Sequence, residues 1–200
     1  MKVLIAIPTF ENILPDTFKS VYGLEVPEGT NCQFDFCKGY DCAKARNNIA
    51  QEAIQYGFDY LLTVDSDMII PRNALTSMLS RNTDVCLGVY PRKNTKTEQT
   101  EIFALGQKDF TDSNNMSATQ IDELNGQAVE IKGGGLGCAL IKVGVFEKIA
   151  FPWFKYVQYD NGAVLSEDNY FCTQVRAAGL TVMVDSAVRC GHSVRGFQWR

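Results

Sequence analysis

The 200-residue chain predicts an α/β domain with a mostly parallel central sheet, helices flanking it and a small antiparallel edge. Two observations carry that expectation. Short apolar, β-branched runs alternate with stretches of helical periodicity along nearly the whole chain. The clearest run, Tyr60 to Val64, ends in Asp65-Ser66-Asp67 before apolar character resumes at Met68-Ile69-Ile70. A run bounded this way reads as a buried strand of a parallel sheet. The C-terminal ends of such strands are where open α/β sheets place their ligands.

Taken in order, Lys2 to Ile7 is the first strand. Pro8-Thr9-Phe10-Glu11-Asn12 is a polar loop opened by a residue that cannot continue a ladder. Leu14 to Tyr22 has helical spacing. Gln33 to Phe36 is expected as a short strand and Lys38 to Asp41 as a turn. A helix follows from Asp41 or Cys42 to about Tyr56, and Gly57 ends it. Arg46 and Asn47 fall near its start. Arg46 is either part of a solvated helix face or a pyrophosphate or base contact from a helix N-terminal turn. Pro71 and Asn73 begin a helix through about Leu79, and Asp84 to Tyr90 is a strand stopped by Pro91.

The segment from Asn94 to Gln127 is polar and patchily apolar. Ile102 to Leu105 and Ala128 to Ile131 are expected as an antiparallel pair at the sheet edge, and Thr111 to Thr119 as an exposed excursion. Gly133-Gly134-Gly135-Leu136-Gly137 is neither a dinucleotide fingerprint nor a phosphate-binding loop. It reads as backbone closely approached by a ligand or another element, or as a plain loop. Cys138 to Lys142 is strand-like and Val145 to Ile149 a short helix. Phe151-Pro152-Trp153-Phe154 is an aromatic turn, with Tyr156 and Tyr159 nearby; such rings stack on a sugar if exposed and form core if buried. Ser166 is a fair N-cap for the helix through Ala177, with Glu167 and Asp168 in its first turn. Thr181 to Val184 is a late strand, Asp185 to Cys190 a loop edge, and Gly191-His192-Ser193 carries the one histidine.

Composition narrows the classes. The chain is 46% hydrophobic and 21% charged, with net charge −4 and no dense Lys/Arg stripe, so nucleic-acid binding is disfavoured. Met1-Lys2 leads straight into an apolar run too short for a secretory signal, and no run approaches the roughly 20 residues that span a bilayer. The seven cysteines form no Cys-x-x-Cys pair, and Cys32, Cys37 and Cys42 lack a usual zinc spacing. They are expected as reduced thiols of a cytoplasmic protein.

The candidate chemistry starts at Asp65 and Asp67. On an extended backbone residues i and i+2 face the same side, so both carboxylates can address one point. Such a pair repels unless a cation or a proton lies between its members, and Mg²⁺ or Mn²⁺ shared with substrate phosphates is the natural occupant. A turn or helix N-cap explains the same tripeptide. Glu167 and Asp168 serve either as first-turn acids or as a general base. His192 is either structural or the imidazole that completes a divalent site.

This order of features resembles the GT-A glycosyltransferases, and among them the family 2-like enzymes, from Val3 to His192. The motifs that carry the resemblance are Pro8-Thr9-Phe10-Glu11, Ala45-Arg46-Asn47, Asp65-Ser66-Asp67, the glycine-rich stretch, Glu167-Asp168 and the late His192. The resemblance implies one GT-A, Rossmann-like domain over residues 1–200, with a nucleotide-binding half at 1–93 and an acceptor and catalytic half at 94–200. It implies a nucleotide-diphosphate sugar donor, UDP favoured, a sugar or other hydroxyl acceptor, and Mn²⁺ or Mg²⁺. Pro8, Thr9, Phe10 and Glu11 would line the nucleoside pocket, with Arg46, Asp65 and Ser66 near it. Asp67 and His192 would bind the metal, and Asp65 would reach the ribose or bind through water. Asp168 would be the base of an inverting displacement, supported by Glu167. Gly134, Gly135, Leu136 and Trp153 would lie on the acceptor side.

The chain departs from that pattern in two places. It ends eight residues past His192, and Gln198-Trp199-Arg200 only echoes the Gln-x-x-Arg-Trp motif of processive synthases, so single transfers are expected. The usual acidic residue after the second strand is not clearly placed, Asp35 being a candidate. The competing readings are a nucleotide-sugar-binding module with weak or no catalysis, a sugar nucleotidyltransferase, and an aspartate-based phosphotransferase of the haloacid-dehalogenase kind.

Overall fold

The computed structural model describes residues 1–92, 99–110 and 115–193. The first half runs β1 (Lys2–Thr9), α1 (Pro15–Tyr22), β2 (Asn31–Lys38), α2 (Cys42–Gln55), β3 (Tyr60–Val64), β4 (Met68–Ile69), α3 (Ala74–Arg81) and β5 (Val85–Val89). The second runs β6 (Gln99–Ala104), β7 (Asn115–Ser117), α4 (Ala118–Glu123), β8 (Ala128–Gly134), β9 (Cys138–Lys142), β10 (Val157–Gln158), β11 (Val164–Leu165), α5 (Glu167–Ala177), β12 (Val182–Arg189) and β13 (Gly191–His192).

Among the described residues, nine strands form one sheet in the order β2-β1-β3-β9-β5-β12-β8-β6-β7. Parallel pairing joins β2, β1 and β3, and joins β5 to β12. The remaining neighbours pair antiparallel, including the β8-β6-β7 edge that the sequence predicts in part. Strand β3 is therefore parallel to one neighbour and antiparallel to the other. Its apolar run is uninterrupted because both faces are covered. One core packs α2, α4 and α5 against one face, and a second packs α1 and α3 against the other.

The helices begin where local chemistry allows. Asp41 caps α2 by accepting from the Lys44 N–H, and Ser166 caps α5 by accepting from the Asn169 N–H. Gly57, with φ +64°, leaves α2 through the left-handed region as expected.

Several boundaries differ from the sequence reading. β2 spans eight residues instead of four, because its alternating exposure hides its length. Asp185 to Arg189 continue β12 instead of forming a loop edge, and Asp185 is buried against Arg81 of α3. The helix expected at Val145 to Ile149 is a 3₁₀ turn at Val143–Val145. The expected excursion is in part β7 and α4, with a capping box between Ser117 and Gln120. Its residues 111–114, residues 93–94 and the tail through Gln198-Trp199-Arg200 lie outside the described residues.

Candidate active site

The site forms at the C-terminal ends of β1 and β3. After Val64 the chain does not stay extended. Met68 N–H donates to the Asp65 carbonyl at 3.1 Å, closing a turn over Asp65-Ser66-Asp67. The turn aims the two carboxylates apart, which corrects the expectation that both address one point. Asp65 Oδ1 accepts from Arg46 Nη2 at 2.8 Å. Asp67 Oδ1 instead lies 3.5 Å from His192 Nε2. Backbone pairing sets that meeting: β13 runs antiparallel to β4, and the Ser193 N–H donates to the Asp67 carbonyl at 2.8 Å.

The His192 ring is oriented from behind. Its Nδ1 lies 2.8 Å from the Pro91 carbonyl, which can only accept, so Nδ1 carries a proton. Nε2 is thereby left facing Asp67. A ring nitrogen tied to a backbone carbonyl, with the other nitrogen beside a carboxylate, is the arrangement that prepares an imidazole for a cation. Among the described residues no three His, Cys, Asp or Glu side chains converge to hold a metal unaided. Two protein ligands suffice for Mg²⁺ or Mn²⁺ where substrate phosphates supply the rest, so Asp67 and His192 fit the group.

Arg46 is the second centre. It is 3% exposed, so it is neither a solvated helix face nor free to reach a ligand. Its Nη1 donates to Glu167 Oε1 at 2.6 Å and lies 3.0 Å from Asp168 Oδ1, while Nη2 holds Asp65. One guanidinium thus faces three carboxylates, which hold it firmly charged against the cost of burial. Asp168 bears the imbalance. Burial pushes its carboxyl up to about 7, Glu167 and Asp65 add to the rise, and Arg46 and the Leu136 N–H oppose it. The Leu136 N–H donates to Asp168 Oδ2 at 3.2 Å.

The remaining expected residues divide. Pro8 and Thr9 close β1 beside β2, and Thr9 Oγ1 donates to the Asn12 carbonyl at 2.6 Å; Phe10 and Glu11 are exposed. The Ser66 carbonyl accepts from the Leu14 N–H at 3.0 Å and the Thr17 hydroxyl at 3.1 Å, which fastens this loop and α1 to the aspartate turn. Gly134 and Gly135 are buried and closely approached by protein: a Cβ on Gly134 would stand 2.8 Å from the Glu101 carbonyl, and one on Gly135 2.0 Å from Tyr90 Oη. Leu136 is fully buried and offers the site only its backbone. Trp153 is core: 7% exposed, its indole N–H donates to the Phe146 carbonyl, and Asn47 Oδ1 holds its backbone. These four do not present an open acceptor surface. Phe151, Tyr156 and Tyr159 are the exposed aromatics of that turn and its surroundings.

Sequence reasoning missed Tyr90. Its ring meets the His192 ring edge-on at 5.4 Å, and its hydroxyl accepts from the Gly137 N–H at 3.0 Å. The Gly137 carbonyl in turn accepts from the Asp65 N–H at 2.9 Å, so Tyr90 connects the two centres. The available signal was its position, last in an apolar strand and directly before a proline.

The architecture is a GT-A-like fold. No family model and no curated protein sequence matches the chain. Solved structures do. A197 from STIV aligns with a TM-score of 0.62 at 18% identity, over 97% of this chain and 86% of that one. GalNAc-T7, solved with UDP, GalNAc and Mn²⁺, aligns at 0.60 and 12% identity, over 98% of this chain. S. aureus TarS 1-349, in complex with UDP-GlcNAc, aligns at 0.54 and 14%, over 99% of this chain. This chain spans 45% of that GalNAc-T7 chain and 60% of that TarS chain. Among the described residues no helix is long and apolar enough to cross a membrane.

Proposed function

We propose that the protein is a metal-dependent glycosyltransferase, moving a sugar from a nucleotide diphosphate, UDP favoured, to a hydroxyl acceptor with inversion. The observation that carries this reading is the meeting of Asp67 and His192, 125 positions apart in sequence (192 minus 67), with the imidazole proton held on Pro91. The fold and the UDP complexes of GalNAc-T7 and TarS support it.

In this reading Asp67 and His192 hold Mn²⁺ or Mg²⁺ with the donor diphosphate. A cation held there would supply neutralisation of the charge on the departing diphosphate. The loop from Pro8 to Glu11 and the aspartate turn receive the nucleoside, and residues 1–93 form that half. Asp168, in the 94–200 half, takes the proton from the acceptor hydroxyl as its oxygen attacks the anomeric carbon. Arg46 and Glu167 fix Asp168 in place.

The test is thermal shift and calorimetry with UDP, GDP, CDP and ADP, each with Mn²⁺, Mg²⁺ or EDTA. One diphosphate should stabilise the fold only with metal, by about 2.7 kcal/mol at a hundredfold excess over Kd. Asp67→Ala should lose that response. Stabilisation that persists in EDTA, or in Asp67→Ala, contradicts the assignment.

A further inference from the structure

Strand β2 ends the sheet, and among the described residues its one strand neighbour is β1. The N–H groups of Asn31 and Gly39 donate to the Met1 and Thr9 carbonyls at 2.9 and 3.1 Å. Backbone direction alternates along a strand, so the N–H and C=O groups of Cys32, Phe34, Phe36 and Lys38 point away from the sheet. A free row of this length is a template for another strand. The usual protections are sparse: β2 has no proline, its lysine stands at the last position, and Asp35 lies over α2 beside Glu52.

The same strand carries wet apolar surface. Phe34 and Phe36 are each 40% exposed, with ring centroids 4.6 Å apart. Phe34 meets Phe18 of α1 edge-on at 6.4 Å, and Phe18 stacks on Tyr22 at 6.2 Å. Phe18 is 49% exposed and Tyr22 85%. Four consecutive exposed rings, two on β2 and two on α1, exceed the scattered apolar residues of an ordinary surface.

We propose that β2 is a homodimer interface, in which two copies pair their β2 strands antiparallel about a two-fold axis and continue one sheet into the other. A strand fits this edge better than a lipid surface, since acyl chains cannot satisfy the outward backbone groups. The side chains select the register. With the axis at Phe34, Phe34 faces the partner's Phe34 and Cys32 faces the partner's Phe36. Gln33 then faces the partner's Asp35 as a hydrogen-bond donor, and Asn31 faces the partner's Cys37. An axis at Asp35 would oppose two aspartates, with Glu52 beside each, and directly facing like charges destabilise a sheet. An axis at Phe36 shortens the ladder. Eight partly exposed rings bring on the order of 800 Å² to the interface. The ladder and the facing α1 helices carry it toward the roughly 1,200 Å² at which stable interfaces begin. The pairing strand itself contains none of Asp67, His192 and Asp168, although Tyr22 lines a cavity that His192 also lines, and the inference does not rest on sugar transfer.

Sedimentation equilibrium across the micromolar range tests it. The expected result is a mass of two chains that halves on dilution. Phe34→Lys sets two ammonium groups face to face on the axis, and should weaken association by at least about tenfold. Circular dichroism should be unchanged, because the position is exposed. Asn31→Cys reads the register independently. Its non-hydrogen-bonded pairing with the partner's Cys37 brings the Cα atoms to about 4.5 Å, within disulfide reach. Mild oxidation should therefore link two chains in this variant and not in the wild type. A single-chain mass at every concentration overturns the proposal. So does a dimer indifferent to Phe34→Lys that Asn31→Cys does not link. Flotation of a single-chain species with anionic vesicles would assign the surface to a membrane instead.

Discussion

At the residue scale, Asp168 shows how surroundings choose a carboxylate's chemistry. Burial pushes its carboxyl up to about 7, with the charges of Glu167 and Asp65 adding to the rise, while Arg46 at 3.0 Å and the Leu136 N–H at 3.2 Å oppose it. A base poised there exchanges protons readily near neutrality. In the proposed transfer the ionised form acts as base, so kcat/KM should rise with pH and level off above about 7. Asp168→Asn should lower kcat by about 10²–10⁴-fold while nucleotide affinity holds. The same group bears on stability with a defined sign. The folded carboxyl binds its proton more tightly than the unfolded one, whose ordinary value is 3.8. Its contribution therefore falls as pH rises from about 4 to about 7. Denaturant unfolding at several pH values should show that decline in the wild type and a flatter curve in Asp168→Asn. A kcat/KM profile without the acid limb would remove Asp168 from the base role.

At the element scale, the glycine-rich end of β8 and the start of β9 are shaped by Tyr90 at the end of β5. A methyl group on Gly135 would stand 2.0 Å from the Tyr90 hydroxyl oxygen and 3.0 Å from its ring carbon Cζ. Gly135→Ala should therefore cost about 1–3 kcal/mol in urea unfolding. Tyr90→Phe leaves the buried Gly137 N–H without its acceptor, at a cost of about 1–3 kcal/mol. The double variant should cost less than the sum, because removing the hydroxyl relieves part of the clash. Strict additivity would show that the contact is not what excludes a side chain. This contact also marks where the sequence stopped being legible. Glycines signal a close approach, while the approaching residue lies 45 positions away, just past the end of another strand (135 minus 90). Local signals served well elsewhere: Asp41 and Gly57 bracketed α2, and Tyr60 to Val64 announced β3. Asp185 reads as loop in the sequence because its partner, Arg81, comes from a distant helix. Asp65-Ser66-Asp67 reads equally as an extended pair or as a turn, because a one-residue change from strand to turn leaves no mark in composition, and the fold takes the turn.

At the scale of the whole molecule, Arg46 fastens three elements through one side chain: α2, the end of β3 and the start of α5. It thereby joins the expected nucleotide half to the expected acceptor half. The sequence supplied each participant without their meeting, since an arginine on a helix face looks solvated until the fold brings carboxylates to it. Three carboxylates around one buried cation make this centre sensitive to loss of the cation. Arg46→Met should destabilise the protein by about 3–5 kcal/mol, the cost of leaving buried charge uncompensated. Arg46→Lys should recover only part of that, because one ammonium cannot bridge three carboxylates in the plane a guanidinium spans. The pH dependence separates charge from packing. Without Arg46, Asp168 loses the cation that favours its ionised form, and its protonation relieves the repulsion from Glu167 and Asp65. The deficit of Arg46→Met relative to wild type should therefore be larger at pH 8 than at pH 5.5 in thermal melts. Equal deficits at the two pH values would mean that Arg46 holds these elements together by packing its side chain, and that its charge is incidental to the architecture.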